Sequence, residues 1–466
     1  MALTRREFIR RTGVVAAGSL LGPGWMRHPL MQKALADTLG DRYFVVVFLD
    51  GGNDGLNTVV PIANGSTGAL RTAYEAARKT GTGGLQLAAA DLAATAIGTD
   101  PHTGTPLALH PGLSGIKQLY ELGKVAVIQG CGYPSYSLSH DTSRKSWQTG
   151  LHGGNTGWMG RYLAANYTAA DIPAVNIRPS VAAEFVQSTT SVLAIQRLEQ
   201  FSFPYDGYSA TDKTAKRSAF LSLCSEAAAN PQPTMSYTGN SATATLLSSE
   251  RYPPLSRQYQ NDRASFNSQY PGTGFARDLR EVAKIIYGVS KGTTGVTARY
   301  FEARNGGFDT HSDQGTNGSN DQHNQLLREV GDALEVFYSD CADMGVADQL
   351  CIVLWSEFSR RIQQNDNGTD HGSQGPMFVI GGTVQGGVYG NHPNINSAAL
   401  NSDGNTVYSQ AAGDPYRSTD LRDVYGTLLK QWLNMPQATI LSSVLQVDGG
   451  DANHYWTAPN FDLAFL

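Results

Sequence analysis

The chain has 466 residues, a formal net charge of −5 and only 16% charged residues. This balance argues against the clustered basic surface that nucleic-acid binding requires. Apolar runs fall short of the roughly 18 residues of a membrane span, so we expect no membrane span. The length suits one large α/β domain with insertions, or two domains.

The N-terminus predicts a removable export signal. Thr4–Arg10 contains two adjacent arginines followed by a phenylalanine and an aliphatic residue, which is the twin-arginine pattern. A mildly apolar stretch follows at 14–21, and Ala34–Ala36 offers an A-x-A cleavage site. A basic amphipathic helix is the structural alternative. We therefore predict a signal over 1–36, a mature domain over 37–466, and a periplasmic or secreted location.

The mature chain alternates strand-like and helix-like segments. Continuous apolar runs, typical of strands buried on both faces, alternate with amphipathic helical patterns, which favours an α/β fold with a mostly parallel central sheet. Residues 199–272 are rich in Ser, Ala, Tyr, Pro and Asn, and we interpret them as a largely helical insertion or cap with loops. The predicted strands are 43–50, 124–129, 174–178, 350–356 and 377–381, and the predicted helices are 110–122, 322–344 and 419–433.

Four cysteines remain in the mature chain: Cys131, Cys224, Cys341 and Cys351. Export to an oxidising compartment permits disulfides, and the last two cysteines are near enough in sequence to pair. Because Cys351 lies within a predicted buried strand, free buried thiols are the other interpretation, and the sequence leaves the disulfide state open. No CxxC spacing indicates a thiolate metal site.

The first predicted strand ends in a carboxylate and a glycine-rich turn. Asp50 closes the strand, Asp54 follows after four positions, and glycines flank both. Ligands of open α/β sheets bind beyond the carboxyl ends of strands, so both aspartates are candidate metal ligands. A tight strand-to-helix turn with capping side chains would explain the same pattern.

A second motif follows the strand at 124–129. Ser139, His140 and Arg144 stand at the start of a predicted helix, where backbone N–H groups favour an anionic ester. Ser139 is the preferred nucleophile, with Ser137 and Thr142 as alternatives. Helix capping alone would also account for these residues.

Two later segments concentrate further ligand types. Asp309, His311 and Asp313 occupy alternate positions of a polar loop, a pattern that suits Zn²⁺ or Mn²⁺. Glu357 ends the strand at 350–356, and His371 follows an aspartate in a polar loop before the last apolar strand. We predict that these side chains meet at one edge of the sheet.

These motifs together resemble the exported DUF1501 proteins. The resemblance rests on the twin-arginine start, the segments Phe48–Pro61 and Phe308–Gln314, Ser-Glu-Phe-Ser-Arg ending at Arg360, and Thr-Asp-His-Gly ending at Gly372. That family is similar to the alkaline phosphatase superfamily, which also contains sulfatases and cofactor-independent phosphoglycerate mutases. The resemblance implies an alkaline-phosphatase-like three-layer α/β sandwich with a bimetal site at the strand ends.

The resemblance also implies roles for individual residues. Asp50 takes the place of the metal-binding aspartate after the first strand, and Ser139 that of the nucleophile. Asp309, Glu357 and His371 match further metal-ligand positions. Two departures weaken the implied zinc site: Phe358 follows Glu357 where a histidine is expected, and His311 stands two residues after Asp309 where four are expected, with Asp313 at the four-residue spacing.

The function implied is an exported metal-dependent hydrolase of phosphate or sulfate esters with a hydroxyl nucleophile. Zn, Mn, Mg and Ca all remain candidates as the divalent ions, and Arg144 or Arg360 could clamp the anionic group of a small ester substrate. The alternative is a non-enzymatic periplasmic binding or assembly protein that retains a degenerate metal site. The sequence leaves the oligomeric state open.

Overall fold

The structure, a computed structural model, describes most of residues 37–466. The predicted signal and its cleavage site lie outside the described residues, as does a short part of the predicted insertion. The described residues are 42–151, 154–187, 189–203, 209–393, 395, 413–415, 417–446 and 460–466.

Twelve strands are present in the described residues, and nine of them form one central sheet. The five predicted strands are all found, and most of the others are short. The strands are Tyr43–Asp50 (β1), Val59–Pro61 (β2), Ala96–Thr99 (β3), Pro106–Leu109 (β4), Val125–Gly132 (β5), Ala174–Asn176 (β6), Val192–Ala194 (β7), Tyr300–Gly306 (β8), Leu350–Trp355 (β9), Gly375–Gly381 (β10), Gly387–Tyr389 (β11) and Thr419–Asp420 (β12).

Helices connect and cover these strands. The last of the predicted helices continues from an α-helix into a π-helical turn at Leu428–Trp432. The α-helices are Gly55–Thr58 (α1), Leu70–Ala77 (α2), Ala89–Leu92 (α3), Ser114–Glu121 (α4), His140–Thr149 (α5), Trp158–Asn166 (α6), Ala210–Ala228 (α7), Pro233–Asp262 (α8), Ala264–Gln269 (α9), Gly274–Ser290 (α10), Gln322–Asp343 (α11), Leu421–Thr427 (α12) and Gln437–Thr439 (α13).

The central sheet is parallel except for one strand. Its order is β11-β5-β10-β9-β1-β8-β6-β7, with β12 paired to the end of β5. β10 runs antiparallel to both of its neighbours, and every other pair in the sheet is parallel. The predicted mostly parallel sheet is therefore confirmed. A separate three-stranded antiparallel sheet has the order β2-β4-β3.

β1 explains why the fold has three layers. Its residues alternate between the two faces of the sheet, as the two-residue period of a strand requires. Val45 and Val47 pack on one face with side chains of α4, α10 and α11, whereas Val46 and Phe48 pack on the other with side chains of α5, α6 and α12. The sheet is thus covered on both faces, and the α/β sandwich is confirmed.

The segment 199–272 contains α7, α8 and α9. α8 is joined to the main core through Tyr252, Leu255 and Tyr259, which are buried in the same cluster as one face of the sheet. Its role as an insertion or cap stays a prediction.

All four cysteines are free and buried. Among the helices of the described residues, none combines the length and the apolarity that crossing a membrane requires.

Candidate metal centre

The carboxyl ends of the central strands bring the candidate residues to one edge of the sheet. β1 lies between β8 and β9 and runs parallel to both, so the chain leaves all three strands on the same side. Asp50 ends β1, Asp309 follows β8, and Glu357 follows β9. His140 begins α5, which covers the same edge.

Three side chains form a group with metal-ligand spacing. One ligand atom from each of His140, Asp309 and His371 lies within 4.8 Å of the other two. Asp309 Oδ2 is 3.4 Å from His140 Nε2, and Asp309 Oδ1 is 3.2 Å from His371 Nε2. We call these three residues the His-Asp-His cluster.

Hydrogen bonds outside the cluster orient both imidazoles. His140 Nδ1 lies 2.8 Å from Oε1 of the fully buried Glu357, and His371 Nδ1 lies 2.7 Å from the carbonyl oxygen of Leu138. Each acceptor would hold the proton of a neutral ring on Nδ1, which leaves Nε2, the nitrogen that faces Asp309, to bind an ion. Bonds of this kind fix the tautomer and orientation of histidines that bind metals.

The electrostatics of the cluster favour a cation. Burial alone would raise the pKa of Asp309, but the hydrogen bond and charge of Arg360, together with His371 and His140, lower this pKa to about 2. The hydrogen bond that His140 donates to the Glu357 carboxylate raises the pKa of His140, whereas burial lowers the pKa of His371. The ionised carboxylate of Asp309 and one nitrogen of each imidazole thus lie close together, and these are the ligand types of a Zn²⁺-type site with an open position.

His311 lies beside the cluster as a potential fourth ligand. Its Nε2 is 2.9 Å from His371 Nε2 and 3.2 Å from Asp309 Oδ1. Its Nδ1 is 3.3 Å from a carboxylate oxygen of Asp370. His311 is thus close to two of the three cluster residues, although its ring is more exposed than the rings of His140 and His371.

The glycine-rich turn after β1 holds Glu357. The N–H of Gly51 donates to Glu357 Oε1 at 3.0 Å, and the N–H of Gly52 donates to Oε2 at 3.2 Å. Both glycines have positive φ values, +121° and +81°, and a Cβ at Gly51 would approach the backbone nitrogen of Asp309 to 2.4 Å. The turn therefore requires glycine, and it supports the carboxylate that orients His140.

Arg360 is a structural anchor of the site. Its guanidinium is fully buried and donates to the carbonyl oxygens of Gly51, Gly52, Phe308 and Thr369 as well as to Asp309 Oδ1. With these donors committed, Arg360 fixes the ligand Asp309 and does not present a free edge to a substrate anion.

Two predicted ligands lie outside the cluster. Asp54 is fully buried in an ion pair with Arg78 Nη2 at 2.8 Å and accepts a hydrogen bond from Gln314 at 2.6 Å. Asp313 is exposed in a left-handed backbone conformation with a φ of 52°, and its side chain accepts from Asn367. Neither aspartate is placed to bind the same ion as the cluster: the charge of Asp54 is already compensated by Arg78, and Asp313 lies in a turn that exposes it to solvent.

Asp50 also has other partners. Its Oδ2 forms a close ion pair with Arg304, and its Oδ1 is 3.5 Å from Arg144 Nη2. Both oxygens of this predicted ligand therefore face guanidinium groups. Among the residues that the structure describes, the His-Asp-His cluster is the one group of three with metal-ligand spacing, so a second ion has no comparable set of ligands there.

The hydroxyl groups near α5 have different surroundings. Ser139 is the exposed N-cap residue, and its side chain makes no capping hydrogen bond. Ser143, one turn later, is buried, accepts from Tyr133 and donates to the carbonyl oxygen of Glu357. Ser139 thus has an exposed side chain without a capping hydrogen bond, whereas the Ser143 hydroxyl is held by two hydrogen bonds.

We expect Glu357→Gln to weaken divalent-metal affinity about 10–100-fold, the usual effect of removing a carboxylate that orients a metal-binding histidine. The two carboxylate oxygens of Glu357 face His140 and the N–H groups of Gly51 and Gly52. A glutamine amide has a single oxygen, so its NH₂ group would face at least one of these donors without accepting from it. Competition with a chromogenic chelator would measure the affinity. Glu121→Gln, an exposed helical site, is the control, and equal affinities for the two variants would contradict the role of Glu357.

Comparisons with known proteins identify the same family as the sequence motifs. Residues 95–409 match the model of a family described as "Protein of unknown function (DUF1501)". No curated protein matches the chain. Among solved structures, the chain is similar to the PsFucS1 sulfatase from Pseudoalteromonas sp., with 11% identity over 90% of this chain and 74% of that one and a TM-score of 0.34.

Two further solved structures show a comparable level of similarity. The lipoteichoic acid synthase LtaP from Listeria monocytogenes has 8% identity over 77% of this chain and 73% of that one, with a TM-score of 0.31. The third, Ps i-CgsB in complex with k-i-k-neocarrahexaose, has 9% identity over 83% and 71% of the respective chains, with a TM-score of 0.33.

Proposed function

The chain belongs to the DUF1501 family, and from that premise we propose that it is an exported, metal-dependent hydrolase of phosphate or sulfate esters. The observation that carries the proposal is the convergence of His140, Asp309 and His371, with the N–H of each imidazole committed to an acceptor outside the cluster. The described residues favour one ion per chain over the bimetal site expected from the sequence.

The cluster residues fit a divalent ion by their chemistry. Two imidazole nitrogens and one carboxylate are a common protein ligand set for a catalytic zinc ion, and imidazole ligands favour Zn²⁺ and its neighbours over Mg²⁺ and Ca²⁺. His140, Asp309 and His371 would hold the ion, with His311 beside it. When bound, the ion would polarise an ester oxygen and lower the pKa of a nearby hydroxyl group or water.

The residues around the cluster have separate roles in this proposal. Glu357 and the carbonyl of Leu138 orient the two imidazoles, and Arg360 keeps Asp309 ionised and in place. Ser139 offers an exposed hydroxyl directly before His140, at a helix N-terminus that favours an anionic group. We propose Ser139 as the nucleophile: its oxygen would bond to the phosphorus or sulfur as the bond to the ester alcohol breaks, and the serine proton would leave with that alcohol. Water would then release phosphate or sulfate and restore the serine hydroxyl.

The test begins with mature protein purified from the periplasm of expressing cells. We expect about one equivalent of a transition-metal ion per chain by elemental analysis, together with hydrolysis of aryl phosphate or aryl sulfate esters that a chelator suppresses and added metal restores. Absence of the mature protein from the periplasm would contradict export, and a metal-free, inactive protein would contradict the hydrolase.

The Ser139→Ala variant separates the two roles of this serine. As the nucleophile, its removal should abolish turnover without changing metal content or thermal stability. A capping role would instead cost about 0.5–2 kcal/mol of stability with activity retained. Metal bound at full stoichiometry without hydrolysis of any ester would favour the alternative, a non-enzymatic binding or assembly protein.

A further inference from the structure

Two guanidinium groups flank one carboxylate at the carboxyl end of β1. Arg304 pairs with Asp50 Oδ2, and Arg144 approaches Asp50 Oδ1 to 3.5 Å. Both guanidinium carbons lie 5.8 Å from the centroid of the Phe48 ring, so one buried aromatic side chain supports both cations. Two arginines share Asp50 as their ion-pair partner, and the Glu357 carboxylate also acts on Arg304 and the Glu184 carboxylate on Arg144.

Most of the donors of this pair are uncommitted. Each guanidinium carries five N–H donors. Within the described residues, the two arginines have no hydrogen-bond or ion-pair partner besides Asp50, except for the almost fully exposed Asp141, which is 3.8 Å from Arg144. The side chains of Arg144 and Arg304 are 27% and 38% exposed, so an anion from solvent can reach them.

The pair adjoins the His-Asp-His cluster. Arg144 follows His140 by four residues on α5, and residues at that spacing lie on the same face of a helix, about 5–6 Å apart. Asp50 directly precedes Gly51, whose N–H donates to the Glu357 carboxylate that orients His140. An anion bound by the arginines would therefore lie next to the ester-binding point.

We propose that Arg144 and Arg304 form the oxyanion-binding half of the site. Planar guanidinium groups match the paired oxygens of phosphate and sulfate better than other side chains do. In this arrangement Asp50 is not a metal ligand. Its carboxylate holds the two guanidinium groups in position, and its negative charge competes with the incoming anion. The substrate class that follows is a tetrahedral oxyanion ester, bound between one metal ion and a fixed pair of arginines.

The assignment to an ester rests on the proposed function, but anion binding itself can be measured without turnover. Titration calorimetry with inorganic sulfate and inorganic phosphate should be run on the full mature protein, both as purified and after chelation. We expect binding in both states, weakening with added sodium chloride because the charges are partly exposed. Failure of the chelated wild-type protein to bind either anion would overturn the proposal.

Variants identify the groups responsible. Arg304→Gln and Arg144→Gln should each weaken anion binding at least tenfold, and Arg304→Lys should weaken it less because it keeps the charge. Asp50→Asn should keep the metal content and tighten anion binding roughly 1.4- to fivefold, the size of a partly exposed ion pair. The control is Arg197→Gln, from an Arg–Asp pair of similar exposure at 3.0 Å, and it should change nothing.

The outcomes separate this inference from the proposed function. Unchanged anion affinity in Arg304→Gln, or loss of metal in Asp50→Asn, would overturn the arginine assignment even if the protein hydrolyses esters. The wild-type protein could instead lack both metal and hydrolysis while Arg304→Gln still weakens anion binding. That result would support the anion site and overturn the hydrolase. Thermal melting of each variant checks that its fold is intact.

Discussion

His371→Ala is expected to abolish both stoichiometric metal binding and metal-dependent ester hydrolysis. His371 supplies an Nε2 lone pair that lies 3.2 Å from Asp309 Oδ1, and alanine has no ligand atom to replace it. Loss of an orienting residue alone usually costs 10–100-fold in metal affinity or activity, so loss of a direct ligand should cost at least about 100-fold. Elemental analysis and the aryl ester assay would measure the two effects.

Stability gives an independent measure of the same prediction. Metal at 100 times its dissociation constant should stabilise the wild-type fold by about 2.7 kcal/mol, and His371→Ala should lose this stabilisation. The variant without metal should lose only about 1 kcal/mol, from the hydrogen bond to Leu138. His102→Ala, at an exposed histidine, is the control. A His371→Ala protein that binds metal like the control would exclude this histidine as a ligand.

The strands that organise the sheet could be predicted where both faces are apolar. β1 and β9 are continuous runs of buried residues, and their bounds in the structure lie within one residue of those expected. β8 was missed although it is the direct neighbour of β1. It contains Glu302 and Arg304, and charged residues at those positions break the apolar pattern; Glu302 is nevertheless fully buried and paired with Arg178.

The site was predictable as a set of segments but not as a set of roles. The sequence predicted metal ligands at Asp309, Glu357 and His371 and placed His140 in the segment of the nucleophile, and the structure brings these four side chains to the edge where the parallel strands end. Which carboxylate faces an imidazole N–H and which faces a lone pair depends on side-chain directions that a sequence does not contain. Glu357 consequently orients His140, although its position at a strand end suggested a direct ligand.

Asp50 and Asp54 illustrate the same limit in terms of charge compensation. Each is a carboxylate in a glycine-rich turn, and nothing in that turn distinguishes a metal ligand from a partner of arginine. The partners come from elsewhere in the chain: Arg304 for Asp50, and Arg78 with Gln314 for Asp54. Because pairwise contacts at such sequence separations follow from the fold, these pairs could be assigned only after the sheet was in place.

Arg78→Met is expected to destabilise the protein by about 3–5 kcal/mol, which is the cost of leaving one partner of a buried ion pair without its counter-charge. Asp54 and Arg78 have no exposed side-chain surface, and the pair measures 2.8 Å. Typical folding stabilities are about 5–15 kcal/mol, so this single change would remove a large share. Urea denaturation at neutral pH would measure it.

The mechanism of this loss has a distinctive pH dependence. Burial acts to raise the pKa of Asp54, but Arg78, His323, Gln314 and Arg360 outweigh it and lower the pKa below 3.8. In the wild-type protein the pair therefore contributes stability above the unfolded-state pKa and loses it as the pH falls through the folded-state value. Without Arg78 the burial effect should prevail and raise the pKa of Asp54. The difference in free energy of unfolding between Arg78→Met and the wild type should therefore become smaller in acid, as Asp54 of the variant takes up a proton.

A double variant tests whether the charge on Asp54, and not lost packing around Arg78, causes the destabilisation. Two guanidinium nitrogens of Arg78 have no hydrogen-bond partner within the described residues, so removing the cation also removes buried donors without acceptors. Adding Asp54→Asn to Arg78→Met should therefore restore most of the lost stability, because an amide can still accept from Gln314 without a charge to compensate. Lys117→Met, from a helical ion pair whose partner Glu121 is 64% exposed, should cost at most about 0.5 kcal/mol. If the double variant is as unstable as Arg78→Met alone, the loss comes from packing, and Asp54 is not the buried charge that Arg78 compensates.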